Sequence, residues 1–138
     1  MTKELLLDAL NDDLADEFAS AIQYVNHAAL ITGARFMAVQ KELLVHATEE
    51  MQHATTLADQ IASLGGKPTT GVAKIQVSDD PDEMLRQDLA GERDAVARYK
   101  ERIRAAMELG EYGLARVLQD IIVMEEEHVK DLEMALGL

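Results

Sequence analysis

The chain has 138 residues, a formal net charge of −13, no Cys and no Trp. That length suits one domain with an ordinary core, and the lack of thiols excludes disulfides and thiolate metal sites, a rubredoxin-type iron centre included. The acidic balance, with no basic tail, repels phosphate backbones and attracts small cations, so nucleic acid is not an expected partner. Hydrophobic residues make up 48% and aromatic residues only 4%, and the abundant Ala, Leu, Met and Glu lose little on entering a helix. An all-helical bundle filling residues 1–138 as a single domain is predicted. Charges break every apolar run before membrane-spanning length, and the start "MTKELLLDALNDD" is acidic, so no membrane contact and a cytoplasmic location are expected.

Apolar residues at Leu7, Leu10, Leu14, Phe18, Ala21, Val25 and Ala28 recur every three or four positions, which predicts a first helix with one buried face, ended by "TG" at 32 and 33. A second stripe runs through Phe36, Val39, Leu43, Ala47, Ala54, Leu57, Ile61 and Leu64 to "GGKP" at 65–68, whose glycines and proline stop it. The third helix begins in "SDDPDE", where Asp80 can cap, Pro81 suits the first turn and Glu83 sits at the capping-box position. It continues through Leu85, Leu89, Val96 and Ile103 to Gly110. The fourth follows Leu114, Leu118, Ile121, Leu132 and Leu136.

Short loops should fold helices one and two, and three and four, into antiparallel hairpins. The connection over 65–79, "GGKPTTGVAKIQVSD", is longer. About fifteen extended residues reach roughly 50 Å, and helices of this size are about 40 Å long. The segment can therefore traverse the bundle and start helix three at the end where helix two began, giving an antiparallel four-helix bundle with a long crossover.

Two Glu-x-x-His motifs, Glu50/His53 in "EEMQH" and Glu125/His128 in "EEEH", stand 75 residues apart. The same offset carries Glu17 in "DLADE" onto Glu92 in "DLAGE", Tyr24 onto Tyr99 and Leu57 onto Leu132. All of these fall within the apolar stripes: Leu10, Leu14, Glu17, Ala21, Tyr24, Ala28 on helix one, and Leu85, Leu89, Glu92, Val96, Tyr99, Ile103 on helix three. Glu50 and His53 share a line with Leu43, Ala47 and Leu57, as do Glu125 and His128 with Leu118, Ile121 and Leu132. A single Glu-x-x-His with a satisfied core histidine would be unexceptional. A duplicated, in-register set converging on the bundle centre would be costly, because crowded and desolvated carboxylates oppose one another's ionisation. Two divalent cations remove that cost. The ligand set of one Glu from each of two helices plus Glu-x-x-His from each of the other two is the established pattern of di-metal carboxylate bundles, and its hard, oxygen-rich donors suit Fe or Mn.

With "NHA" after Tyr24, "EEMQHA" at 49–54, "DDPDEMLRQDLA" at 79–90 and "EEEHVKDLE" at 125–133, the chain resembles the ferritin-like superfamily, and within it the bacterioferritins, over nearly all residues. The resemblance implies a dinuclear ferroxidase centre with two Fe ions per subunit. Glu17 and His53 would bind one ion, Glu92 and His128 the other, and Glu50 and Glu125 would bridge. Tyr24 would lie beside the centre, with Tyr99 as its counterpart; filling core volume with a satisfied hydroxyl is the alternative for both. Met51 occupies the position at which bacterioferritins ligate haem across a two-fold interface, while an apolar dimer contact is its other reading. His27 and His46 read as surface or packing residues, though His46, one turn from Glu50, could meet iron in transit. Bacterioferritins continue into a short fifth helix where this sequence stops at Leu138, so a shell of 24, a cage of 12 and an isolated dimer all stay open.

The implied activity is oxidation of Fe(II) with O2 or H2O2 and storage of Fe(III), in a homo-oligomer built from two-fold dimers and with a part in oxidative stress. The rival readings are a di-iron or di-manganese peroxidase or oxidase that stores nothing, and a metal-free structural bundle.

Overall fold

A computed structural model describes every residue from Met1 to Leu138. Four long helices, α1 (Lys3–Leu30), α2 (Met37–Ser63), α3 (Pro81–Glu108) and α4 (Tyr112–Leu136), carry the fold, with one short 3-10 turn, Ala34–Phe36, leading into α2. At 25 to 28 residues each is about 40 Å long, so one helix spans the whole bundle. No helix is long and apolar enough to cross a membrane.

The predicted boundaries hold to within a few residues, and their local chemistry is mostly as read. Thr2 caps α1 by accepting a hydrogen bond from the Leu5 amide at 3.2 Å, and Asp80 caps α3 through the Glu83 amide at 3.0 Å. The capping box is only half formed, however. Glu83 turns to accept from Arg86 at 3.1 Å, and the Asp80 amide donates instead to Ser78 Oγ at 3.0 Å. The serine two residues back satisfies that amide, and the freed glutamate pairs with a cation. Between α3 and α4 the chain reverses at Gly110, whose φ of 74° a residue with a Cβ adopts only at a cost.

The crossover runs along α1 in the direction of α1. Asn11 holds its start from both sides, donating to Lys67 O at 3.0 Å and accepting from the Thr69 amide at 2.8 Å. The Ala73 amide then donates to Ala15 O at 3.1 Å, and the Gln76 amide to Gln23 Oε1 at 2.8 Å. The chain is thereby delivered to the end of the bundle where α2 began, and an ion pair between Arg35 and Asp82 ties those two ends together.

The core is divided. One cluster gathers Leu6, Leu10, Leu14, Leu57, Ile61, Tyr99, Leu118 and Ile121 among its members. The other gathers Tyr24, Phe36, Leu43, Met84, Leu85, Leu89 and Leu132. Between them lies a layer of buried polar side chains. Of the predicted stripe residues only Val25 is exposed, with Tyr24 pointing inward beside it, while Leu7, Phe18, Val39, Leu64, Val96, Ile103 and Leu136 are half-buried. At 3.6 residues per turn a stripe can continue by three or by four, and the side chain with better core partners takes the inward position.

Candidate metal centre

The polar layer is made by Glu17 of α1, Glu50 and His53 of α2, Glu92 of α3, and Glu125 and His128 of α4, all buried. They meet in two groups of four: Glu17, Glu50, His53, Glu125 and Glu50, Glu92, Glu125, His128, with donor atoms within 4.8 Å of one another in each. Glu50 and Glu125 belong to both. His53 Nδ1 lies 3.6 Å from Glu17, 3.3 Å from Glu50 and 3.2 Å from Glu125. His128 Nδ1 lies 3.3 Å from Glu50, 3.3 Å from Glu92 and 3.5 Å from Glu125.

Proximity here is mostly not hydrogen bonding. Glu17 Oε2, Glu50 Oε1, His53 Nδ1, Glu92 Oε2 and both oxygens of Glu125 are buried without a hydrogen-bond partner. An unsatisfied buried polar group costs about 1–3 kcal/mol, more if charged, so six such atoms facing a common space need another occupant. A cation fits. Cis ligands of an ion bound at about 2.1 Å stand roughly 3.0–3.4 Å apart, close to most of the separations seen.

The electrostatics point the same way. Burial first, then repulsion from Glu17 and Glu92, raises the pKa of Glu50 well above the ordinary carboxylate range, and Glu125 is raised by the same causes with Glu50 added. For His53 burial opposes the charge, but the carboxylates of Glu125, Glu17 and Glu50 outweigh it and push the imidazole up to about 12. His128, with burial again opposing and Glu92 the leading partner, is pushed up to about 9. Without metal, protons do the neutralising.

Tyr24 donates to Glu92 Oε1 at 2.7 Å and Tyr99 to Glu17 Oε1 at 2.5 Å. Burial and the neighbouring carboxylates raise both phenols well above 10, so each keeps its proton and holds one oxygen of a glutamate. Each tyrosine thus bonds the glutamate of the opposite half. Glu49, the first residue of "EEMQH", sits 3.3 Å from His128 Nε2. It had no place among the expected site residues, although a doubled Glu before a stripe position was a visible signal. A second missed network surrounds His27, whose Nδ1 lies 2.9 Å from Asp88, with Gln23 donating to the same carboxylate at 2.9 Å. His27 and His46 are both fully buried, so neither is the surface residue that was one of their readings.

A polar cavity of about 340 Å³ between α1 and α3, beneath the crossover, reaches Tyr24 and Glu92 and carries Asp16, Asp88, Asp94 and Arg98 on its walls. Met51 lies elsewhere. It is 45% exposed in an open apolar trough of about 530 Å³ between α1 and α2, beside Ile22, Val25 and Ala47.

Four antiparallel helices, a long crossover and paired glutamate-histidine stations at mid-bundle define the class of di-metal carboxylate bundles. The family model described as "Ferritin-like domain" matches residues 7–138, and the chain belongs to that family. Its relatives include the bacterioferritin of Brucella melitensis, 31% identical over 96% of this chain and 83% of that protein, and that of Mycobacterium leprae, 30% identical over 96% and 84%. Among solved structures it resembles a ferritin-like, diiron-carboxylate protein of Bacillus anthracis, with 31% identity, a TM-score of 0.94 and 99% of each chain covered. It also resembles Rhodobacter capsulatus bacterioferritin, with 29% identity, a TM-score of 0.89, and 97% of this chain and 84% of that one covered. That structure is described as having a metal-free dinuclear site and a heme iron.

Proposed function

We propose that the chain is a ferroxidase that stores iron: it binds two Fe(II) at mid-bundle, oxidises them with O2 or H2O2, and passes Fe(III) to a mineral store in the cytoplasm. The observation that carries the reading is the set of buried, unpaired donor atoms arranged as two stations that share Glu50 and Glu125. Glu17 and His53 hold one ion, Glu92 and His128 the other. Two ferrous ions supply two electrons, which with two protons reduce O2 to H2O2 or H2O2 to two waters. The residues of the chain prepare that step. Tyr24 and Tyr99 each fix one oxygen of a terminal glutamate and leave the other free to ligate. Glu49 fixes the ring of His128 through its far nitrogen, a support that orients a ligating imidazole. The protons held by His53 and His128 in the metal-free state leave when ions enter. The walls of the α1/α3 cavity carry five carboxylates against Lys74, Arg86 and Arg98, a net negative lining that draws cations toward Glu92.

The exposed apolar trough around Met51 is the face on which two copies pair, and the oligomer is built from that dimer. Haem is a candidate ligand at Met51 in the same contact, by analogy with the heme iron of the Rhodobacter capsulatus protein. Replacing Glu50 or His128 by Ala is expected to abolish fast Fe(II) oxidation, followed by absorbance of the ferric product, with helicity kept. Oxidation at the wild-type rate in both variants would rule the assignment out. Storage is read separately, by whether the particle takes up many irons per chain in air or leaves them to precipitate.

A further inference from the structure

On the α2/α4 side of the bundle, opposite the polar cavity, a third group of potential ligands stands outside the dinuclear set: Glu42, His46 and Asp131, with donor atoms within 4.8 Å of one another. His46 Nε2 lies 3.1 Å from Asp131 Oδ2 and 3.4 Å from Glu42 Oε1. The imidazole is fully buried and has little freedom. Its ring stacks on that of His128 with centroids 4.0 Å apart, and meets Tyr24 edge-on at 5.1 Å. Nε2 is thereby directed at the two carboxylates, which are half-exposed. Nε2 is hydrogen-bonded to Asp131 Oδ2 while His46 Nδ1, the other ring nitrogen, is buried with no partner, so the ring's hydrogen bonding is only half satisfied.

The internal repeat supplies an independent comparison. At the offset of 75, Glu42, His46 and Asp131 correspond to Val117, Ile121 and Thr56, with Ile121 buried and the other two half-buried. The same place in the other half is filled by aliphatic side chains and one hydroxyl. The imidazole and two carboxylates are thus peculiar to this half of the repeat.

We propose that Glu42, His46 and Asp131 form a third divalent-cation site. One imidazole nitrogen and two carboxylates suit ions such as Fe(II), Mn(II), Co(II) or Zn(II), and three protein donors leave positions open to water and hence to exchange. The separations of 3.1 and 3.4 Å match those of neighbouring ligands on one ion at about 2.1 Å. Because both carboxylates can swing into solvent, this site holds its ion more weakly than the buried pair and fills last. Its role rests on the ferroxidase reading: it is a staging position beside the His128 half of the dinuclear centre, reached from the α2/α4 face. Its binding does not rest on that reading.

The test is titration of the full-length protein with Co(II) alone, followed calorimetrically, together with anomalous diffraction at the cobalt edge. Wild type is expected to take three ions per chain, the last in a separable weaker step, with an anomalous peak beside His46 Nε2. The double variant Glu42→Gln/Asp131→Asn changes two half-exposed side chains and should keep the fold, bind two ions and lose that peak. The variant Glu50→Ala/Glu125→Ala should keep the peak beside His46. Equal stoichiometry in wild type and Glu42→Gln/Asp131→Asn, with no density beside His46 in wild-type crystals, would overturn the proposal. One ion per chain in wild type and none in that double variant would uphold it while removing the dinuclear reading.

Discussion

The two halves of the chain agree where they touch the centre and part company one layer out. Glu17 and Glu92, Glu50 and Glu125, His53 and His128, and Tyr24 and Tyr99 are related by the same 75-residue step and make equivalent contacts. A layer further, Asp13 pairs with Arg102 at 2.8 Å and Arg98 at 3.3 Å, while its counterpart Asp88 is held by His27 and Gln23. Those partners are themselves counterparts: Gln23 of Arg98, and His27 of Arg102. Both halves kept the aspartate and its two anchor positions, and only the chemistry of the anchors differs. Beyond that, Glu49 faces His128, but the corresponding Met124 offers His53 no polar support. Two like ions demand like ligands. The faces around them meet different surroundings, and nothing holds them alike.

The largest test of that symmetry is which ions each ligand commands. Glu50→Ala or Glu125→Ala should weaken both ions together, since each carboxylate serves both groups. Glu17→Ala should weaken only the ion shared with His53, and Glu92→Ala only the one shared with His128. With the His46 site counted, Co(II) stoichiometry by calorimetry would read about three in wild type, two in the Glu17 and Glu92 variants and one in the Glu50 and Glu125 variants, and identical losses in all four variants would break the assignment of stations.

Next comes stability, where metal-free and metal-loaded protein should respond to pH with opposite signs. Every acid and imidazole that departs from its ordinary pKa does so upward: burial leads for Asp13, Asp16, Glu50, Asp88 and Glu125, and carboxylate partners prevail over burial for His53 and His128. The folded state therefore binds more protons than the unfolded chain, and stability falls as pH rises. The imidazole contribution is complete below 6.5 and is lost through about 9 for His128 and about 12 for His53. The raised carboxylates add in the same sense at lower pH. In chelator, Tm should climb from pH 8.5 to pH 5. With Zn(II) at a thousandfold excess over its Kd, each bound ion should add about 4 kcal/mol near neutrality, and that increment should shrink toward pH 5 as protons compete. A metal-free Tm that rises with pH would contradict the charge arrangement.

Tyr24→Phe and Tyr99→Phe should each cost roughly tenfold in affinity for the ion whose glutamate they hold, the usual scale for removing an outer hydrogen bond to a ligand. Packing volume is preserved, but each change takes a hydrogen bond from a buried glutamate oxygen, so Tm in chelator should also fall by a few degrees. If Tyr24→Phe alone impairs binding, the halves are less equivalent than their geometry.

The repeat made the centre legible, because a polar set duplicated in register inside apolar stripes is too costly to keep unless bound cations neutralise it. The long crossover was legible from its length. What stayed hidden depends on contacts between distant segments. Nothing local to Asn11 announces that it clamps Lys67 and Thr69, and nothing near His27 points to Asp88, 61 residues on. His46 was open to surface, packing and transit-iron readings because burial is a tertiary fact. Val25 was placed inward because period alone cannot choose between adjacent apolar positions.

The finest distinction between the halves is Glu49 against Met124. Glu49 fixes His128 through Nε2, so Glu49→Gln should keep a hydrogen-bonding group there while removing its charge. The ion at the His128 station should then weaken by about tenfold or less, the low end for an outer partner of a ligating histidine, and the ion at His53 should be unchanged. Met124→Leu, the matching change in the other half, should alter neither. Calorimetric titration with Co(II) resolves the two stations if their affinities separate in the variant. Equal weakening at both would mean that Glu49 acts through the field of the whole centre, whereas a change confined to His128 makes the doubled Glu of "EEMQH" the point at which the two otherwise matched stations were made unequal.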